Sequence, residues 1–200
     1  MIDQIRNIIF QDHFPEIKHA KRYILPGASR EIQVCLTSDK KSIYIGAPGG
    51  VNACYVCERM FKGLHLVENI VFEHNSFHTD NAGSFSGMFQ ECRSLRTVNV
   101  REFKTGKATS FERMFSGCER LTDLNLSGFD TSSAYKFTRM FNGCKSLKEL
   151  DLTSFRTVDV NNFSCLFENC RNLEKLRILS KSFVIREDAI TDKCSPAVQN

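Results

Sequence analysis

MFQECRSL from Met88 to Leu95, MFSGCERL from Met114 to Leu121, MFNGCKSL from Met140 to Leu147 and LFENCRNL from Leu166 to Leu173 are one phrase written four times. Each copy begins 26 residues after the last, so Cys92, Cys118, Cys144 and Cys170 share one phase, as do Leu95, Leu121, Leu147 and Leu173. A single globular core has no reason to enforce such a period, whereas stacked repeats that each cover the apolar face of the next require it. A fainter copy starts at Met60-Phe61, 28 residues before Met88, with Leu64 in the cysteine slot. The two extra residues fit a longer loop around His74 to His78.

With each Met, or Leu166, counted as zero, a small residue stands at minus 6 (Ala82, Ala108, Ala134, Val160) and phenylalanine at minus 3 (Phe85, Phe111, Phe137, Phe163). Spacings of three and four place these with Met, Phe and Cys on one face of a short helix. Gly63, Gly117, Gly143 and Asn169 at plus 3 suit the left-handed residue that ends one. Beyond it Leu121, Leu124, Leu126 and Leu147, Leu150, Leu152 change to an alternating rhythm, which predicts a short strand with one face inward. Phe103, Phe129 and Phe155, then Thr105, Thr131 and Thr157, lead through a polar turn into the next copy. Helix, strand and loop in each repeat predict parallel strands about 4.8 Å apart with like residues in ladders. The expected fold is therefore an α/β repeat: a right-handed solenoid with a parallel sheet on one face, short helices on the other, and terminal caps.

The flanks lack the repeat. Ile2, Ile5, Ile8 and Ile9 read as an amphipathic helix, and residues 31–36 with 42–45 as a hairpin, so 1–50 is expected to be an N-terminal cap of helix plus β-hairpin. Ile43 and Ile45 fall close to where a degenerate zeroth repeat would place its strand. Residues 51–179 hold about five repeats, and 180–200 a C-terminal cap and tail.

The phrase MFxGCxSLxxLxLxxFxT resembles the leucine-rich-repeat-like units of bacterial surface proteins of the BspA type, above all the 25- to 26-residue variant first catalogued in mycoplasma lipoproteins. The resemblance covers roughly residues 54–179. It implies a curved solenoid used for protein or surface contacts.

Composition narrows the function. The chain has 200 residues, 42% apolar, with 27 basic and 23 acidic side chains interspersed, a formal charge of +4. Nucleic-acid binding calls for a concentrated basic stripe, and none is present. The N-terminus MIDQIRNIIFQDHF is too interrupted for a secretory segment or a membrane span. The expectation is a cytoplasmic monomer, with the cell surface or release by a non-classical route as the other destination. Nine cysteines, four locked to the repeat phase, fit reduced buried thiols better than a disulfide framework.

No catalytic set converges, and no cofactor or metal is expected. Cys54 and Cys57 of CYVC fall in the small and phenylalanine slots, which face the core; a thiol- or metal-dependent enzyme built on Cys54 and Cys57, or on His74 and His78 of EHNSFH, is the alternative. The ladder of Cys92, Cys118, Cys144 and Cys170 is expected to be structural. Cys165, in the slot of Arg59, Arg113 and Arg139, is the thiol expected to be exposed and reactive. The glycines of GAPGG at 46–50 read as a connection. A sheet ribbon remains: Thr97, Asn99, Arg101, Asp123, Asn125, Glu149, Asp151, Lys175 and Arg177 flank the inward residues. They are expected to present an acidic middle and a basic end to a protein partner, making the chain a non-enzymatic binding module or scaffold. An adhesin or effector exported without a cleaved signal is the further alternative.

Overall fold

The computed structural model describes residues 4–24, 31–53, 57–157 and 163–179. Among these residues there are ten short strands and no α-helix. The strands are β1 (Asn7–Gln11), β2 (Lys21–Ile24), β3 (Gln33–Leu36), β4 (Ser42–Gly46), β5 (Val51–Asn52), β6 (Asn69–Phe72), β7 (Phe77–His78), β8 (Thr97–Val98), β9 (Glu149–Asp151) and β10 (Lys175–Arg177). One six-stranded sheet runs in the order β2-β3-β4-β1-β6-β8, and β9-β10 and β5-β7 form two further pairs. β6 is parallel to β8 in the register Asn69↔Thr97, and Thr97 bridges onward to Asp123.

The segment around each Met-Phe is not the expected helix but a pair of tight turns bridged by a third. The Met88 N–H is donated to the Phe85 carbonyl (3.1 Å) and the Cys92 N–H to the Phe89 carbonyl (3.1 Å). The N–H groups that alternate with these leave the segment: Gly87 donates to Glu112 (2.7 Å), Phe89 to Met114 (2.9 Å) and Glu91 to Ser116 (2.7 Å), while the Gln90 N–H closes a bridging turn onto the Gly87 carbonyl (3.0 Å). A helix would keep all of these donors to itself. Here every second one joins a repeat to its successor. Each of the outer two turns carries a left-handed residue at its third position, as a type II turn demands. Those residues are Arg59, Gly87, Arg113, Arg139 and Cys165 in one column, and Gly63, Glu91, Gly117, Gly143 and Asn169 in the other.

Side chains at one phase pile up inside. Phe85, Phe111, Phe137 and Phe163 stack with ring centroids 5.6–5.9 Å apart. Phe61, Phe89, Phe115, Phe141 and Phe167 form a second column at 5.4–6.0 Å. Both lie in the offset-stacked range that suits the ring quadrupole. The threonines of the loop are buried rather than solvated. Thr105 Oγ1 donates to the Asp130 carbonyl (2.9 Å) and accepts from the Asp130 N–H (2.9 Å), and Thr131 does the same with Arg156. One hydroxyl thus satisfies both backbone groups of the next repeat, which no aliphatic residue of that size could do.

The N-terminal helix is a second correction. Ile8 and Phe10 are buried while Asn7, Ile9 and Gln11 are half-buried on the other side, so the working period is two. β1 lies between β4 and β6, parallel to both. It occupies the place next to the first repeat strand that Ile43 and Ile45 would have filled; β4 stands one strand further out and pairs antiparallel with β3. Phe10 draws β1 in, with its ring 5.1 Å from Phe72, 5.1 Å from Phe77 and 5.9 Å from Phe61. The C-terminal cap expected over 180–200, and Val160 and Cys54, lie outside the described residues.

Candidate partner-binding face

Alternation along the repeat strands brings the ribbon residues to one face. Val98, Val100, Leu124, Leu126, Leu150 and Leu152 are buried, and the residues between them are exposed. One row runs Asn69, Thr97, Asp123, Glu149, Lys175; the next runs Val71, Asn99, Asn125, Asp151, Arg177; Arg101, Ser127 and Thr153 follow. All nine residues expected to meet a partner are exposed.

Their charges are not arranged as an acidic middle beside a free basic end. Lys175 Nζ lies 3.2 Å from Glu149 Oε2, and Arg177 Nη1 lies 3.8 Å from Asp151 Oδ2, each pair spanning the parallel register of β9 and β10. The second row also has a local duty. Asn99 Oδ1 accepts the Arg101 N–H (3.2 Å), Asn125 Oδ1 the Ser127 N–H (3.0 Å), and Asp151 Oδ1 both the N–H (2.9 Å) and hydroxyl (2.6 Å) of Thr153. These are Asx turns that end each strand. The Thr153 hydroxyl, then its N–H, holds the Asp151 carboxyl below the usual carboxylate range.

The face continues past the first repeat onto β1 and β4. Asn69 Nδ2 donates to Asn7 Oδ1 (2.9 Å), and Asn7 Nδ2 to Ser42 Oγ (3.1 Å), while Ile9 pairs in register with Val71 on one side and Tyr44 on the other. Sequence reasoning missed this extension because it assigned β1 to a helix. Two shallow depressions of about 360 Å³ each mark the face. One lies among Asp123, Asn125, Glu149, Asp151, Lys175 and Arg177, the other among Val71, Thr97, Asn99, Arg101, Asp123 and Asn125. A third, of about 270 Å³, lies over the turn segments where Gly87 replaces the arginine of its column. Its serine hydroxyls are already engaged: Ser84 Oγ donates to Glu58 Oε1 (2.8 Å), and the Ser86 and Ser110 hydroxyls are hydrogen-bonded to each other (2.7 Å).

The other candidates are dispersed. The ladder thiols are buried and donate to carbonyls one repeat back: Cys92 to Phe61 (3.0 Å), Cys118 to Phe89 (3.1 Å), Cys144 to Phe115 (3.3 Å) and Cys170 to Phe141 (3.0 Å). Burial pushes Cys92 up to about 12 and Cys170 up to about 11, and raises Cys118 and Cys144 well above the ordinary thiol range. Cys165 is 3% exposed, against the expectation of a reactive surface thiol. It shares the left-handed backbone of the arginine column, but its side chain is too short to follow those long side chains outward. Cys57 is fully buried. His74 Nδ1 lies 3.0 Å from Glu102 Oε1 and His78 Nε2 2.8 Å from the Gly49 carbonyl, so the two rings serve different partners. Among the described residues no group of three or more His, Cys, Asp or Glu side chains is placed to hold a metal ion. The glycines at 46–50 connect β4 to β5, and a Cβ on Gly50 would sit 2.2 Å from the Asn75 carbonyl oxygen.

These positions predict a thiol titration. The seven described cysteines are buried, so at neutral pH each is expected to react with a disulfide reagent only as fast as the fold opens. All nine react in denaturant. Three or more thiols reacting at the rate of free cysteine in the native protein would contradict this burial.

No helix among the described residues is long and apolar enough to cross a membrane. The chain matches, over residues 55–181, the family described as Mycoplasma protein of unknown function, DUF285. Comparison with curated proteins and with solved structures gives no match.

Proposed function

We infer that this chain, which belongs to the family of Mycoplasma proteins of unknown function DUF285, is a non-enzymatic protein-binding module. In this reading the chain is a BspA-like, leucine-rich-repeat-like solenoid of right hand, with paired turns in place of the short helices. It offers the outer face of its sheet to a protein partner. The observation that carries the reading is the alternation that sets nine polar side chains in rows on one face while the residues between them are buried or, at Leu176, half-buried. A repeated scaffold holds such rows rigidly, so little ordering cost opposes binding.

The test is charge reversal on a partner captured from native lysate and identified by mass spectrometry. Asp123→Lys, Glu149→Lys and Asp151→Lys together are expected to weaken binding by at least about tenfold, the equivalent of about 1.4 kcal/mol. Urea unfolding of the same variant is expected to show a loss of no more than about 3 kcal/mol, because the two ion pairs it removes are exposed and worth at most about 1 kcal/mol each and the Asp151 turn to Thr153 adds about one net hydrogen bond. Unchanged affinity would rule the face out as the contact surface.

A further inference from the structure

The ribbon is tied together by side-chain contacts at both ends and not in the middle. Toward the C-terminus Lys175 and Arg177 are held by Glu149 and Asp151. Toward the N-terminus Asn69, Asn7 and Ser42 are linked side chain to side chain, and Gln11 Nε2 donates to Glu73 (3.2 Å). Between these ends Arg101 and Asp123 are exposed and make no ion pair among the described residues. Val71, beside them in the middle row, is 41% exposed. All three border the same depression of about 360 Å³. Asn99 and Asn125 border it too. Their Oδ1 atoms are committed to the turns, while their amide nitrogens make no hydrogen bond among the described residues.

A charge already paired within the protein must share or give up that partner before it can serve another, so its net gain on binding is small. An unpaired charge beside an apolar contact has no such cost. Amide N–H donors that point outward from a sheet match the carbonyls of an extended backbone, and an open, shallow site of this kind suits a strand-like segment better than a compact small molecule. The geometry points to the depression around Val71, Arg101 and Asp123 as the specificity centre of the ribbon. Its occupant is an extended segment of a protein partner carrying an aliphatic side chain between an acidic residue, which meets Arg101, and a basic residue, which meets Asp123. This rests on the ribbon being the contact surface.

The experiment selects short random peptides displayed on phage against the folded chain. It then compares the winners on wild type and on a charge-swapped variant, Arg101→Asp with Asp123→Arg, whose net charge is unchanged. The expected winners place an aliphatic residue between an acid and a base. They should bind the swapped variant at least about tenfold more weakly, and peptides with the acid and base exchanged should recover the loss. A third protein, Glu149→Lys with Asp151→Lys, separates the two ideas. Winners that ignore the swap but lose affinity for this variant overturn the centre proposed here and leave the ribbon reading standing. Winners that ignore both variants, or a selection that enriches nothing, overturn both. A urea midpoint for each variant close to that of wild type shows that losses are local.

Discussion

Replacing Phe111 with alanine is expected to cost about 3–5 kcal/mol, enough to leave a domain of ordinary stability largely unfolded. Phe111 is fully buried, with its ring 5.7 Å from Phe85, 5.6 Å from Phe137 and 5.6 Å from Phe129. The upper part of the range applies because the site cannot collapse. The rings above and below belong to repeats whose backbones are tied together by the Phe111 N–H to Lys136 bond (2.9 Å) and the Phe85 N–H to Ser110 bond (2.9 Å). Closing the void would require pulling both repeats off their hydrogen-bonded spacing. One deletion also weakens two interfaces in a stack where each repeat is stabilised by its neighbours. Urea unfolding followed by circular dichroism measures the change, with Tyr135→Ala, on a side chain 42% exposed, as the control expected to shift by about 0.5 kcal/mol or less. A loss below about 1 kcal/mol at Phe111 would mean that the phenylalanine column is loosely packed.

What the sequence makes legible is the column, because burial at a fixed phase leaves the same residue type in every copy. Phe85, Phe111 and Phe137, or Leu95, Leu121 and Leu147, are recognisable before any backbone is known, and all six are buried. The backbone that carries them is less legible. Spacings of three and four describe a helix face, but they also describe two consecutive tight turns, and only the left-handed residues four apart tell these apart. The signal was present: glycine occurs in both columns, at Gly87 in one and at Gly63, Gly117 and Gly143 in the other, whereas a helix would need it only at its end. β1 is ambiguous for a related reason, since Ile5, Ile8 and Ile9 satisfy a helical period as well as Ile8 and Phe10 satisfy an alternating one. On the ribbon, alternation identified which residues face water. Their mutual pairing follows from the period: Glu149 and Lys175, like Asp151 and Arg177, are opposite charges 26 residues apart and therefore neighbours in adjacent strands. The Asx turns of Asn99, Asn125 and Asp151 were hidden because an exposed polar residue at a strand end looks the same whether it waits for a partner or closes a turn.

The cysteine ladder gives the second large effect, an alkaline instability. Each of the four thiols is buried among apolar columns and donates to a backbone carbonyl, so the folded protein holds its proton more tightly than the unfolded chain does. For Cys92 the folded value is about 12 against the ordinary 9.0, with desolvation the dominant cause; at Cys118 and Cys144 burial is again first, and the adjacent thiols add to it. A group whose folded pKa is raised contributes its full stability below the unfolded pKa and loses it as pH climbs toward the folded one. Stability should therefore be flat through neutral pH. From about pH 9 upward it should fall by as much as about 1.4 kcal/mol per pH unit for each thiol, approaching about 5 kcal/mol per unit for the four together. Urea midpoints from about pH 7 to about pH 10.5 test this. Cys118→Ser with Cys144→Ser is the control, since a hydroxyl can still donate to the Phe89 and Phe115 carbonyls but does not ionise in this range. That variant should lose about half of the alkaline slope. An unchanged slope would mean that the ladder thiols are not held in a dry interior.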